Sequence, residues 1–175
     1  MPSLYLRAVD PRWRPAETGE LLRLLDALGL LVAQDLVTDD RLSPGDAFLK
    51  LVMFLGCSPS VTLEPAADGQ SSCYLRLLLF DEVRFLCARP PPVVRCPRCR
   101  ARAAVAEPHR YGQVFLCPAC GHEHAVEDLD WRRAAAFGRC FIEIGGVFPH
   151  EAVPADRLLE RLEGFSACRW DYFYA

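Results

Sequence analysis

Hydrophobic positions follow two different periods near the start of the chain. Residues 3–9 alternate weakly between apolar and polar side chains, which predicts a strand. Pro11 and Pro15 then indicate a loop. From Thr18 onward, leucines recur at helical spacing until Gly29, a residue type that often ends helices in the left-handed conformation. The chain is therefore predicted to begin with a strand followed by an amphipathic helix.

A second helix is predicted at residues 43–56. Ser43 is a favourable N-cap, Pro44 suits the first helical position, and Asp46 completes a Ser-x-x-Asp box. Gly56 is the expected end of this helix. Its interior is apolar on most sides apart from Lys50, so we expect it to lie in the core.

Three strand-like runs follow at residues 61–64, 73–80 and 83–88. Turn-forming pairs separate them, Asp68-Gly69 and Asp81-Glu82, and together they predict an antiparallel meander. The three prolines at 90–92 cannot donate hydrogen bonds to a sheet and are expected to end it.

The C-terminal part predicts a short helix at 128–137, a strand at 140–148, a helix at 154–163 and a strand at 167–174. We therefore predict an α+β fold with a mixed or antiparallel sheet, several helices and an inserted cysteine module. The expected organisation is an N-terminal part of the core at 1–92, the insert at 93–126, and a C-terminal part at 127–175 that completes the core.

Composition and charge place the chain among ordinary globular proteins. Hydrophobic residues make up 51% and charged residues 25% of the 175, and the formal net charge is −3, so the whole molecule is not a polyanion binder. All but one of the 20 basic residues are arginine, a bacterial-type composition typical of GC-rich genomes. The first residues contain no uninterrupted apolar run, and charges interrupt the longest apolar stretches. We expect a cytoplasmic protein without a membrane segment.

Nine cysteines in a reducing compartment favour metal binding over disulfides. Four of them form a C-x2-C, x17, C-x2-C pattern, made of Cys96, Cys99, Cys117 and Cys120. In such a pattern two tight turns, each preceded by a short strand, aim four thiolates at one point. The spacing predicts a four-cysteine metal site at residues 93–126.

These paired Cys-Pro-x-Cys motifs resemble the zinc-ribbon group. The second motif fits the ribbon pattern through Gly121, whereas the first has Arg100 where glycine is frequent. The resemblance implies one structural zinc ion per chain, held by all four cysteines. Iron in a sulfur-only tetrahedron is the rival metal, and His109, His122 or His124 could replace one cysteine as a ligand.

Arginines surround the first Cys-Pro-x-Cys motif and indicate where a partner or a nucleic acid could contact the chain. Arg98, Arg100 and Arg102 alternate along it and, with Arg95 and Arg110, form the main basic cluster. We expect a non-catalytic module that binds a partner, most simply a protein, with these arginines at the contact. The alternative is a nucleic-acid-binding protein whose first motif contacts phosphates.

The sequence gives little support to an enzyme. It predicts no catalytic residue and no cofactor site apart from the metal, although a pocket using His150 is the third possibility. The remaining cysteines follow a helix or lie in apolar runs, which predicts buried, unreactive thiols. They are Cys57, Cys73, Cys87, Cys140 and Cys168.

Overall fold

The computed structural model describes residues 3–33, 41–55, 73–88, 93–105, 107, 109–148 and 150–175, and within them ten strands and three helices. In chain order they are β1 Ser3–Ala8, α1 Thr18–Ala27, α2 Phe48–Leu51, β2 Val52–Phe54, β3 Tyr74–Cys87, β4 Val94–Arg95, β5 Arg102–Ala103, β6 Val114–Leu116, β7 Glu123–Ala125, a 3-10 turn at Val126–Asp128, β8 Ala135–Gly145, β9 Ala152–Pro154, α3 Asp156–Ser166 and β10 Trp170–Tyr174.

Four strands form an antiparallel sheet in the order β10-β1-β8-β3. Strand β1 lies between β10 and β8, so that Leu6 is opposite both Tyr172 and Ile142. Strand β8 pairs with β3 from Gly145 to Ala135. The first and last strands of the described chain are therefore neighbours, and the predicted α+β class is confirmed.

Helices α1 and α3 cover one face of this sheet. The buried positions in each are four residues apart, Leu21 with Leu25 and Leu158 with Leu162, because that spacing returns to the same side of a helix. Each buried leucine stabilises the fold by about 1.5–3 kcal/mol. The sheet residues in the same core alternate along their strands: Leu4, Leu6, Ile142 and Ile144. In the described part of the chain, no helix has the length and apolar character needed to cross a membrane.

A buried carboxylate joins three strands on the opposite face. Glu143 of β8 is 3% exposed. Its Oε1 accepts hydrogen bonds from Ser3 and Tyr5 of β1 and from Tyr74 of β3, at 3.0–3.2 Å. Its Oε2 accepts from Nε of Arg76 at 2.8 Å and lies 2.6 Å from Nη2. Burial of this charge is tolerated because the carboxylate is paired and hydrogen-bonded.

Gly145 makes room for one of these hydrogen bonds. The Tyr74 ring lies across β8, and a Cβ atom at Gly145 would come within 2.1 Å of its Cζ. Any larger residue would displace the tyrosine. Glycine is required here because of this close approach, and its neighbour Gly146 has a left-handed φ of 74° as the strand ends.

The cysteine module packs against one end of the sheet. It contains two hairpins, β4 with β5 and β6 with β7. Val94, Phe115 and Val126 share a second hydrophobic core with Ala135 and Phe137 of β8. The division of the chain at 92 and 126 into core and insert stays a prediction.

The prediction of a helix at 43–56 is wrong for most of the residues that the structure describes there. Only Phe48–Leu51 is helical, and Val52–Phe54 is a strand paired with β9. The backbone before it bonds to the segment after α1: Val32 N–H donates to the Ser43 carbonyl at 3.0 Å, and Gly45 N–H to the Leu30 carbonyl at 3.0 Å. This long-range pairing outweighs the local capping signals. The expected end at Gly56 lies outside the described residues.

The predicted meander is also corrected. The two predicted runs at 73–80 and 83–88 form the single strand β3, Tyr74–Cys87, and its register with β8 shifts between Leu79 and Arg84. The Asp81-Glu82 pair lies in this bulge, so it is not a hairpin turn. Bulges of this kind bend a strand while pairing continues on both sides. The run at 61–64, the Asp68-Gly69 turn and the three prolines lie outside the described residues.

No helix occupies residues 128–137, contrary to the prediction. A 3-10 turn ends at Asp128, and β8 starts at Ala135. Asp130 instead exchanges backbone hydrogen bonds with Arg95 of β4, at 3.0 and 3.2 Å. Arg132 and Arg133 both have left-handed φ values, 55° and 57°, which a right-handed helix excludes. Tertiary contacts with the cysteine module therefore determine this segment.

Replacing Glu143 with Ala should lower the free energy of unfolding by about 2–4 kcal/mol, because the change leaves Arg76 and three hydroxyl groups without their acceptor. Urea denaturation would measure the loss. Glu160→Ala on the exposed side of α3 is the matched control and should change stability by no more than about 0.5 kcal/mol. Equal stability of the two variants would show that the buried carboxylate does not hold the strands together.

Candidate metal centre

Two turns of the same shape carry the four cysteines. The first follows β4, and the second follows β6. In the first, Arg100 N–H donates to the Cys96 carbonyl at 2.9 Å; in the second, Gly121 N–H donates to the Cys117 carbonyl at 2.8 Å. Arg100 has φ of 63° and Gly121 φ of 65°. The arginine thus adopts the left-handed conformation for which glycine is the usual residue, and the two turns keep the same geometry.

The four sulfur atoms converge on one point. All four Sγ atoms lie within 4.8 Å of one another, and the group could hold a metal ion. Two of the distances are short: 3.9 Å between the sulfurs of Cys96 and Cys120, and 3.7 Å between those of Cys99 and Cys117. Cys96 and Cys117 are buried, whereas Cys99 is exposed. The four residues predicted from the spacing are brought together by the fold.

Backbone amides favour the thiolate form at the first cysteine of each turn. The amide of Cys120 is the main cause that lowers the pKa of Cys117, to about 7, and the amide of Cys99 likewise lowers the pKa of Cys96. At Cys99 the amide of Ala101 lowers the pKa, but partial desolvation and hydrogen bonds with the neighbouring thiols raise it to about 11. A metal ion that binds all four as thiolates must therefore release protons.

The histidines near the motifs lie outside the four-sulfur group. His124 Nε2 is 3.3 Å from the sulfur of Cys96, in hydrogen-bond contact. The His122 ring lies against His124 with centroids 4.8 Å apart, and its Nδ1 is 3.0 Å from Nη1 of Arg98. His109 stacks on Phe85, away from the sulfurs. His124 lies opposite Phe115 in the β6–β7 hairpin and contacts Cys96, a candidate ligand.

Two of the three arginines proposed as partner contacts are already engaged. Arg100 forms a salt bridge with Asp130 at 2.9 Å, and Arg98 contacts His122. Arg102 is exposed on β5. Arg95 buries its Nε atom, which has no hydrogen-bond partner among the described residues. The predicted basic cluster is therefore not a continuous row of available guanidinium groups.

Cys73 and Cys140 are buried, and His150 packs against an aromatic ring. Burial raises the pKa of Cys73 and of Cys140 to about 12, so both thiols stay protonated and unreactive at neutral pH. Cys168 is partly exposed, and Cys57 lies outside the described residues. The His150 ring packs on Tyr174 with centroids 4.7 Å apart.

Sequence reasoning missed the polar network of Glu143 and the pairing of Asp130 with the first turn. The sequence does contain a signal for the Glu143 network, because Glu143 is the one charged residue within the apolar run Cys140–Gly145. An isolated carboxylate there indicates burial with a partner. The partners themselves come from β1 and β3, far away in sequence.

Comparison with known proteins assigns no relatives. No protein-family model matches the chain, and no curated protein and no solved structure matches it. The arrangement of the residues themselves is therefore the basis for any functional conclusion.

His124→Ala should weaken metal binding about 10- to 100-fold, because it removes the hydrogen bond that orients and stabilises the Cys96 thiolate. Competition with a chromophoric chelator would measure the affinity. His122→Ala is the matched control, since His122 lies beside His124 but its Nδ1 contacts Arg98. Equal affinities for the two variants would contradict a role of His124 at the centre.

Proposed function

We propose that the four cysteines bind one structural zinc ion and that the protein is a non-catalytic binding module. The observation that carries the proposal is the spacing of the sulfurs. With Zn–S bonds of about 2.3 Å, the edges of a regular sulfur tetrahedron are about 3.8 Å long. The Cys96–Cys120 and Cys99–Cys117 distances of 3.9 and 3.7 Å agree with that length.

A structural role fits the ligand set. Four thiolates fill the coordination of zinc and leave no position for water or substrate, so the ion would not act as a Lewis acid. Iron is compatible with the same sulfur tetrahedron and is the metal from which zinc must be distinguished. Zinc is favoured as the commoner ion in closed four-cysteine sites.

The small size of the hairpins explains why a metal would be needed. Strands β4 and β5 are two residues long, and β6 and β7 are three. Isolated two-stranded hairpins are marginally stable at best. Zinc binding contributes about 10–16 kcal/mol in small zinc modules, enough to fix both turns.

The cysteine module at residues 93–126, called the ribbon below, also exposes apolar side chains that could contact a protein partner. Val114 and Leu116 are 64% and 60% exposed, whereas Phe115 between them is buried. The alternation gives β6 an inner face that belongs to the ribbon core and an outer face without cover among the described residues. We propose a cytoplasmic module in which this outer face, with Arg102 beside the first turn, contacts a protein.

Two other functions receive less support. Nucleic-acid binding by the first turn would need Arg98 and Arg100, and these contact His122 and Asp130. An enzyme would need a reactive group, and the described residues around His150 supply an aromatic neighbour in Tyr174. The metal-stabilised binding module remains the conclusion that the geometry favours.

Purified protein should contain one zinc ion per chain. Elemental analysis with native mass spectrometry would measure it, and finding iron or no metal would contradict the proposal.

After chelation, hydrogen exchange should accelerate at the amides of Arg100 and Gly121, while β1 and β8 keep their protection. Cys117→Ser should have the same effect. Global unfolding in either experiment would contradict a locally acting structural metal.

The double change Val114→Ser, Leu116→Ser should abolish capture of a protein partner without loss of stability, because both side chains are exposed. Cross-linking and pull-down with the zinc-loaded protein would measure capture. Leu49→Ser is the matched control, since Leu49 is 56% exposed on α2, away from the ribbon. Identical captured proteins for wild type and double variant would exclude this face as the contact.

A further inference from the structure

A groove lies between the bulge of β3 and the ribbon loop before β6. Residues 81–85 line one side and residues 109–111 the other, and Arg12 and Arg139 also contribute to its lining. Its volume is about 800 Å³. Binding sites for small molecules have volumes of about 300–1,000 Å³, so the groove is large enough for a ligand of nucleotide size.

The groove is positively charged in a chain of net negative charge. Asp81 is one of its two carboxylates, and its charge is offset by Arg14, whose Nη1 lies 2.6 Å away. Arg84 and Arg110 are exposed, and among the described residues no carboxylate forms a salt bridge with either. Their guanidinium groups are therefore available to an anion. The charged lining consists of Arg12, Arg84, Arg110 and Arg139 against Asp81 and Glu82, and Arg12 is paired with Asp10 at 3.6 Å.

Hydrogen bonds within the chain shape both sides of the groove. Arg139 donates from Nε to the carbonyl of Phe80 and from Nη1 to the carbonyl of Arg12, both at 3.4 Å. Across the groove, Arg110 N–H donates to Gln113 Oε1 and Gln113 N–H donates to the Arg110 carbonyl, both at 3.1 Å. Arg139 is a positioning residue on one side, and the Arg110–Gln113 turn positions the other.

Aromatic rings lie beside the arginines. Tyr111 is 40% exposed. His109 stacks on Phe85, with centroids 4.7 Å apart and an angle of 9° between the rings. A planar ligand ring can stack on such side chains, at a gain of about 1–3 kcal/mol per base in single-stranded complexes.

We propose that this groove binds a nucleotide. Arginine guanidinium groups match the geometry of phosphate oxygens, so Arg84 and Arg110 bind the phosphate, and Tyr111 stacks on the base. A simple anion such as a carboxylate would use the arginines but not the rings. The nucleotide is either free or part of a single-stranded nucleic acid, since both present the same phosphate and base.

This proposal goes beyond the proposed function, because the groove is separate from the four sulfurs and from Val114 and Leu116. It depends on the folded ribbon in one respect: residues 109–111 lie within it. The experiment therefore uses the full chain loaded with zinc. Zinc content and nucleotide affinity are measured on the same sample, so that the two proposals can fail separately.

The test is fluorescence anisotropy with short, labelled single-stranded RNA and DNA, with adenosine monophosphate and triphosphate as competitors. Arg84→Gln combined with Arg110→Gln should reduce affinity about tenfold or more and lower the slope of log affinity against log salt by about 1.4. Tyr111→Ala should reduce affinity about tenfold, whereas Tyr111→Phe should retain it. Thermal melting and zinc content verify that each variant folds.

Arg161→Gln is the matched control, because Arg161 is exposed on α3, outside the groove. It should leave the affinity unchanged. Competition by the free nucleotides would assign the site to mononucleotides, and oligonucleotide binding without such competition would assign it to single strands. Zinc-loaded protein that binds none of these probes, or that binds them equally well after the groove changes, would overturn the proposal and leave the zinc module intact.

Discussion

The pairing of β8 with strands on both of its sides is the constraint on which the rest of the structure depends. Near its C-terminal end, Ile142 and Ile144 lie in the core beneath the helices. At its start, Ala135 and Phe137 lie in the core of the cysteine module. One strand thus contributes to each of these two cores, and the register of its antiparallel partner β3 shifts between Leu79 and Arg84. The positions of the metal centre and of the groove both follow from this shared strand.

Arginine is so common in this chain that only its contacts distinguish one role from another. Arg76 compensates the buried Glu143, and Arg100 ties the first cysteine turn to Asp130. Arg139 donates to the carbonyls of Phe80, beside the bulge, and of Arg12. Each of these is engaged within the fold, whereas Arg84 and Arg110 are exposed and form no salt bridge among the described residues. Of the arginines that the sequence favoured as contacts, Arg98 and Arg100 are engaged within the fold, whereas Arg102 and Arg110 form no salt bridge among the described residues.

The four-cysteine cluster depends on both local and long-range contacts. Two turns of equal geometry bring the four sulfurs within 4.8 Å of one another, and backbone amides lower the pKa of Cys96 and Cys117. His124 reaches Cys96 from the other hairpin. A metal at this point would link the two hairpins, and the ribbon packs against β8 through Phe115 and Val126. Loss of the metal would therefore affect the ribbon side of the groove as well as the cysteine turns.

The sequence by itself determined the four cysteines that meet, β1, and the amphipathic helices α1 and α3, although α3 continues past Gly164 to Ser166. These features depend on spacing within short segments, where periodicity and turn geometry act directly. Only the tertiary structure decided the segment at 43–47, the bulge of β3 and the irregular chain at 128–134. In each, backbone groups bond to partners distant in sequence, and those bonds outweigh local propensities that differ by less than about 1 kcal/mol per residue.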